Sequence, residues 1–279
     1  VLNFVLDPLH YEFFRNAAIV GVTIGVLCPI VGSYLVVQRM TLLGNVISHA
    51  VLPGLVLANF LGLDLLLGAF LAGSFSTGLM SWIQTQPRIR PDAAMALTLS
   101  TFFALGIALS SLLDSRLDLE ALLFGDLLGV TTRDTIETGV ITAIVILAIV
   151  LHYKELLFYT FDPIGAKAAG LPTRRIHLGL VVLVTLTIVA SMKTVGVLLV
   201  VSMLVGPAVT AYLLVKELHQ MMILGVILGV LANLVGLLLS YHLDLPSGAA
   251  IAIVTFMLFV IAFVWTNWRD RRLELPGRK

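Results

Sequence analysis

The stretch Ala17 to Val37 reads AAIVGVTIGVLCPIVGSYLVV and contains no charged residue. A helix that is apolar on every side needs an apolar surround, and about 20 such residues cross the hydrocarbon core of a bilayer. The pattern repeats down the chain at Leu65 to Trp82, Val140 to Leu151, Val195 to Leu214, Ile223 to Leu239 and Ile251 to Trp265. Over the 279 residues, 59% are hydrophobic, 12% are charged and the mean hydropathy is +1.06. Soluble domains carry about 25% charged residues. The chain therefore reads as an all-α polytopic membrane protein, and its function belongs to the few polar residues at membrane depth.

Apolar runs set against polar breaks predict about nine spans, near 13–37, 46–61, 64–83, 92–113, 133–152, 174–192, 194–214, 220–241 and 247–268. Little chain remains outside them, so residues 1–279 are expected to form a single transmembrane domain. Asp7, His10 and Glu12 precede the first span in place of a basic region, so no cleavable signal is expected. An odd number of spans puts the termini on opposite sides. With the C-terminus inside, all of the 17 Lys and Arg except Arg15, Arg116, Arg133 and Lys193 fall on the inner side, and the positive-inside rule selects N-out, C-in. A net charge of +1 implies no nucleic-acid partner. The single cysteine, Cys28, excludes an internal disulfide and reads as a small buried hydrophobe.

Two segments outside the spans are informative. The outer segment 114–132 carries Asp114, Asp118, Glu120 and Asp126 around the apolar stretch Leu119 to Val130, which is too short to span and reads as re-entrant or interfacial. Its summed field would attract cations or a delivery partner. The inner loop 153–173 contains DPIGAKAAGLP from Asp162 to Pro172. Asp162 is a good N-cap, Pro163 fits the first helical position, and Gly170 with Pro172 stops the helix. A capped helix of about two turns is expected at the cytoplasmic face. Gly165 to Gly170 is followed by Leu171-Pro172 where a phosphate-binding loop requires Lys-Ser/Thr. If transport uses ATP, another subunit hydrolyses it.

The polar cluster opening the second span is NVISHAVLPG, Asn45 to Gly54. Asn45 and His49 are four residues apart and share a helix face, with Ser48 close to the same stripe. Pro53 removes a backbone hydrogen bond and frees a carbonyl. Imidazole suits a borderline divalent ion, and carboxamide and carbonyl oxygens suit harder ones. A lone histidine on an apolar face would be read as a packing residue, but several polar groups on one stripe beside a proline point to a permeation path. Asn233 is expected to bond between helices, Lys193 to snorkel at an outer junction, and Gly206-Pro207 to kink the seventh span. Gly21 with Gly25 and Gly225 with Gly229 form Gly-x-x-x-Gly pairs that suit either packing within the chain or a dimer seam. No span carries Asp or Glu near its centre, as a proton- or sodium-coupled carrier usually requires, and no nucleophile–base set suggests an enzyme.

Asn45 to Gly54 resembles the Asp-x-x-Ser-His-x-x-Leu-Pro-Gly signature of metal permeases of ATP-binding-cassette importers, the membrane subunits for manganese, zinc or iron uptake. Asp162 to Gly170 resembles the coupling-helix region of that family, and Val195 to Val200 with Gly206-Pro207-Ala208 resembles a later stretch. The resemblance spans about residues 13 to 265. It implies a homodimer in the plasma membrane with a pore on its axis and no permanently bound cofactor. Cytoplasmic ATPase subunits would grip the coupling helix at Asp162, Gly165, Ala166, Ala169 and Gly170, and an extracytoplasmic metal-binding protein would deliver the ion. His49 matches the signature histidine as a transient pore ligand. Asn45 stands where the family usually has Asp, which leaves only a carboxamide oxygen to attract the cation. Zinc permeases of this family are often accompanied by His-rich segments, and with only six scattered His here the resemblance favours manganese, with zinc or ferrous iron next. The competing readings are a permease for a metal chelate or vitamin, with a wider apolar pore, and a carrier that works without an ATPase.

Overall fold

The computed structural model describes residues 7–8, 10–84, 86, 88–113, 125 and 127–274. Every regular element among them is helical. Helix α1 (Glu12–Val37) is followed by α2 (Leu42–Ala50) and α3 (Leu52–Leu61), which form one span interrupted at Val51, just before Pro53. Then come α4 (Leu65–Gln84), α5 (Pro91–Leu112) and α6 (Thr132–Leu151). Two short helices, α7 (Tyr153–Phe161) and α8 (Pro163–Ala168), lead into α9 (Thr173–Leu214), α10 (Leu218–Leu243) and α11 (Ser247–Glu274).

Helix α9 is 42 residues long, about 63 Å at 1.5 Å per residue, twice the span of a bilayer core. Within it Gly196 has φ 77° and ψ 162°, a backbone region essentially restricted to glycine. The chain reverses there. Cys28 Sγ lies 3.8 Å from Ser191 Oγ, and Gly32, one turn further along α1, lies against the backbone of Leu204. A straight helix would separate residues 191 and 204 by about 20 Å, whereas a reversal at Gly196 leaves them about 5 Å apart in depth, close to the rise of one turn of α1. Helix α9 is thus two antiparallel spans. The described residues cross nine times, in agreement with the expected pattern, although only eight continuous helices are long and apolar enough to do so.

Alternating crossings gather Arg39, Arg88, Arg90, Lys154, Lys167, Arg174, Arg175 and Lys216 at one end of the bundle, the basic face. Lys193 lies at the opposite end, three residues before the reversal. Its Nζ is 2.8 Å from Asp134 and 2.7 Å from Glu137 at the start of α6, and Arg133 pairs with Glu137 at 2.8 Å. These pairs tie the hairpin of α9 to α6. Most of the expected re-entrant segment, including Asp114, Asp118, Glu120 and Asp126, lies outside the described residues. Its far end is a short 3-10 turn, Leu127–Gly129, in which buried Leu127 donates its N–H to Ser247 Oγ at 3.2 Å.

The glycine pairs resolve as packing within the chain. A Cβ on Gly25 would stand 3.0 Å from the Gly229 carbonyl oxygen and 2.9 Å from the Val230 nitrogen, so α1 and α10 cross backbone to backbone. Asn233 makes the expected interhelical bond, donating from Nδ2 to Met203 Sδ at 3.1 Å and also to the Gly229 carbonyl at 2.9 Å. Cys28 is buried, as expected of a packing residue.

Candidate functional site

Helix α2 carries the polar cluster and is held on several sides. Its Ile47, and Val51 just beyond its end, pack towards Gly73 of α4. Gly44 admits Leu204 from the second limb of α9. Asn45 faces away from these contacts into a groove of about 540 Å³, whose other walls are Ser202, Val205 and Gly206 of α9 and Thr255, Phe256 and Phe259 of α11. Any side chain at Gly206 would collide with Thr255, so glycine there lets α9 and α11 meet at the groove wall. Of the Gly206-Pro207 pair, Gly206 therefore lies on the groove lining.

His49 lies one turn further along α2 and is half-buried. Its ring meets Phe103 of α5 edge to face, with centroids 5.3 Å apart and planes at 84°. His49 Nδ1 and Ser48 Oγ are buried with no hydrogen-bond partner among the described residues. Both are polar groups inside the bundle whose bonding capacity the described residues leave unused. Pro53, in turn, has no N–H to offer the carbonyl four residues back, that of His49. One short segment thus carries a carboxamide, an imidazole, a hydroxyl and a carbonyl without its helical donor. Of these groups only the Asn45 carboxamide lies on the groove lining; Ser48 and His49 do not, and the His49 ring turns to Phe103 of α5.

This is a weak, neutral donor set. Among the described residues no group of three or more His, Cys, Asp or Glu could hold a metal ion. Such a surface suits brief contact with a passing cation and not storage. Phe103, Ser202 and Thr255 were not singled out in the sequence. Each is a lone residue in an apolar run, and only folding brings it to α2.

On the basic face, Asp162 caps α8 as expected: its Oδ1 accepts the Gly165 N–H at 2.8 Å. Gly170, with φ 82°, closes the helix, while the Leu171 N–H bonds the Ala166 carbonyl at 3.0 Å and the Gly170 N–H bonds that of Lys167 at 3.1 Å. The unexpected α7 anchors this unit. Gln38 at the end of α1 donates to Thr160 Oγ1 at 3.0 Å, and Tyr159 Oη lies 3.1 Å from His177 Nδ1 at the start of α9.

Residues 10–266 match the ABC 3 transport family. The chain belongs to that family. The permease is 38% identical over 271 residues to a "probable iron transport system membrane protein" of Haemophilus influenzae, covering 97% of this chain and 100% of the relative. It is 40% identical over 262 residues to the "manganese transport system membrane protein MntC" of Listeria monocytogenes, covering 94% of each. Its fold matches PsaBC from Streptococcus pneumoniae, solved in complex with Fab, with a TM-score of 0.86, 36% identity and coverage of 94% of this chain and 95% of that one. A putative metal-chelate type ABC transporter in an inward-facing conformation shares the fold at a TM-score of 0.71 and 16% identity, covering 90% of this chain and 85% of that one. The permease is thus a multi-pass membrane protein of the metal-transporting ABC group, whose relatives carry names for manganese and for iron.

Proposed function

We propose that the permease is the membrane subunit of an ATP-driven importer that moves a divalent transition metal, manganese foremost, into the cytoplasm. The observation that carries this reading is the face of α2, where Asn45 opens onto the groove and His49 holds a buried, unpartnered Nδ1 one turn beyond. The oxygen-rich set with a single imidazole suits manganese, and ferrous iron next, better than a thiolate-seeking ion. The relatives named for manganese and iron support the same two ions.

A divalent transition metal takes about four to six ligands, and one chain brings at most four neutral groups to this segment. A second copy related by a two-fold axis through the groove would double the set, which is the physical case for a homodimer with the path on its axis. By the positive-inside rule the basic face is cytoplasmic. The capped helix α8, with Asp162, Gly165, Ala166, Ala169 and Gly170, then stands where separate ATPase subunits dock, and a metal-binding protein delivers the ion to the opposite face.

The test is reconstitution of the permease with its cognate ATPase and parallel measurement of ATP-dependent manganese, iron and zinc uptake. His49→Ala should lower uptake at least about tenfold, since even the loss of an outer-shell partner costs that much at a metal site, while assembly is unaffected. Asn45→Asp should raise the apparent affinity for the cation by adding a charge that offsets its desolvation. Equal uptake by His49→Ala and the unchanged chain would remove the site assignment.

A further inference from the structure

A second cavity, with no lining residue from α2, lies on the basic face between the end of α6, α7 and the first three turns of α9. It measures about 370 Å³. Arg175, His152 and Glu155 stand at its mouth, and Leu180 and Leu183 line its depth. Eight residues of helix separate Arg175 from Leu183, about 12 Å along the axis, so the cleft runs from headgroup level into the hydrocarbon zone. It lies between membrane-facing surfaces, because Leu147, Val150 and Leu151 on one side and Leu178 and Val182 on the other are exposed. Gly179 lines it too, and a Cβ there would meet no atom within 4 Å.

We propose that this cleft holds one anionic phospholipid from the leaflet at the basic face, with its phosphate at Arg175 and an acyl chain along Leu180 and Leu183. The leaflet is the cytoplasmic one under the orientation proposed above. Charge and shape both favour that occupant. Among the described residues Arg175 has no carboxylate within ion-pair distance, and Glu155, the only carboxylate on the lining, lies 4.0 Å from His152 Nδ1. Arg174, Lys154 and Lys167 add positive charge nearby on the same face, where basic pockets between membrane helices attract anionic headgroups. A side chain of a soluble ATPase could reach the mouth but not the apolar floor. Leu171 and Pro172, which follow α8 directly, also line the cleft, so the lipid would wedge the α8 loop against α6.

The test uses the full permease assembled with its ATPase in mild detergent and offered phosphatidylglycerol, phosphatidylcholine or inorganic phosphate, with retained lipid counted by native mass spectrometry. The unchanged chain should retain phosphatidylglycerol and not phosphatidylcholine, and inorganic phosphate should not displace it. Arg175→Gln should weaken retention about tenfold, the scale of one charge-assisted hydrogen bond. Gly179→Phe should weaken it similarly by filling a cleft that the backbone leaves open. Equal retention of the two lipids, unaltered retention in both variants, or displacement by phosphate would overturn the proposal. So would cross-linking of Gly179→Cys to the ATPase in membranes. Retention is read without metal or ATP, so its failure is separate from any failure of His49→Ala to lower uptake.

Discussion

Over an 18-residue apolar stretch of each, helices α1 and α6 are almost equally hydrophobic, with mean hydropathies of 2.2 and 2.0, yet 67% of that stretch is buried inside the bundle in the first and only 22% in the second. The α2–α3 span is the least apolar of these three at 1.5, and 72% of its stretch is buried. Apolarity in a membrane says that a helix inserts; it does not say which neighbour it meets, because lipid is as apolar as leucine. What distinguishes the central helices is close backbone approach and polar groups that find work. Gly25 and Gly32 let α1 touch α10 and α9, and α2 carries Asn45, Ser48 and His49.

The largest expected effect sets those two regions directly against each other. Gly32→Ala drives a methyl into the Leu204 carbonyl and should lower stability by about 3 kcal/mol, the upper range for overpacking. Gly139→Ala in α6 meets nothing within 4 Å and should leave the melting temperature unchanged, or raise stability by up to about 1 kcal/mol through helix propensity. Thermal melting of both variants in one detergent checks the contrast, and equal losses would break it.

Lys193→Met should cost less. Its side chain is 38% exposed and those of its partners are 20% and 27% exposed, so about 1 kcal/mol is expected, and the difference from the unchanged chain should shrink at high salt. A salt-independent loss would mean that the apolar stem of Lys193 and not its charge holds the α9 hairpin to α6. Asp162→Ala should have the smallest global effect. It removes the cap of a six-residue surface helix, worth about 1 kcal/mol locally, and should speed hydrogen exchange across 163–168 without moving the melting temperature.

What could be read directly from the residues was of two kinds. Span positions follow from local hydropathy, and α8 follows from local capping, since Asp162, Pro163 and Gly170 act on atoms within a few residues. Helix α7 was not expected, because YKELLFYTF lacks a cap and its anchors, Gln38 and His177, are distant in the chain. The ion-pair partners of Lys193 are illegible in the sequence for the same reason: Glu137 is 56 residues away. At the site, Asn45 and His49 could be placed on one face by helical spacing alone. Their surroundings could not, since Phe103, Ser202 and Thr255 come from three other helices.

By itself the sequence determined that the chain inserts in a membrane, how often it crosses, where α8 starts and stops, and that Asn45 and His49 share a stripe. Those features arise from transfer of each segment out of water and from bonds between near neighbours. Only the tertiary structure decided that the glycine pairs seal α1 to α10, that α9 folds back at Gly196 within clasping distance of α6, and that α9 and α11 wall the groove beside Asn45. Between helices already in an apolar medium, contact is chosen by shape and by a few polar bonds, and these depend on residues that meet only when the chain has folded.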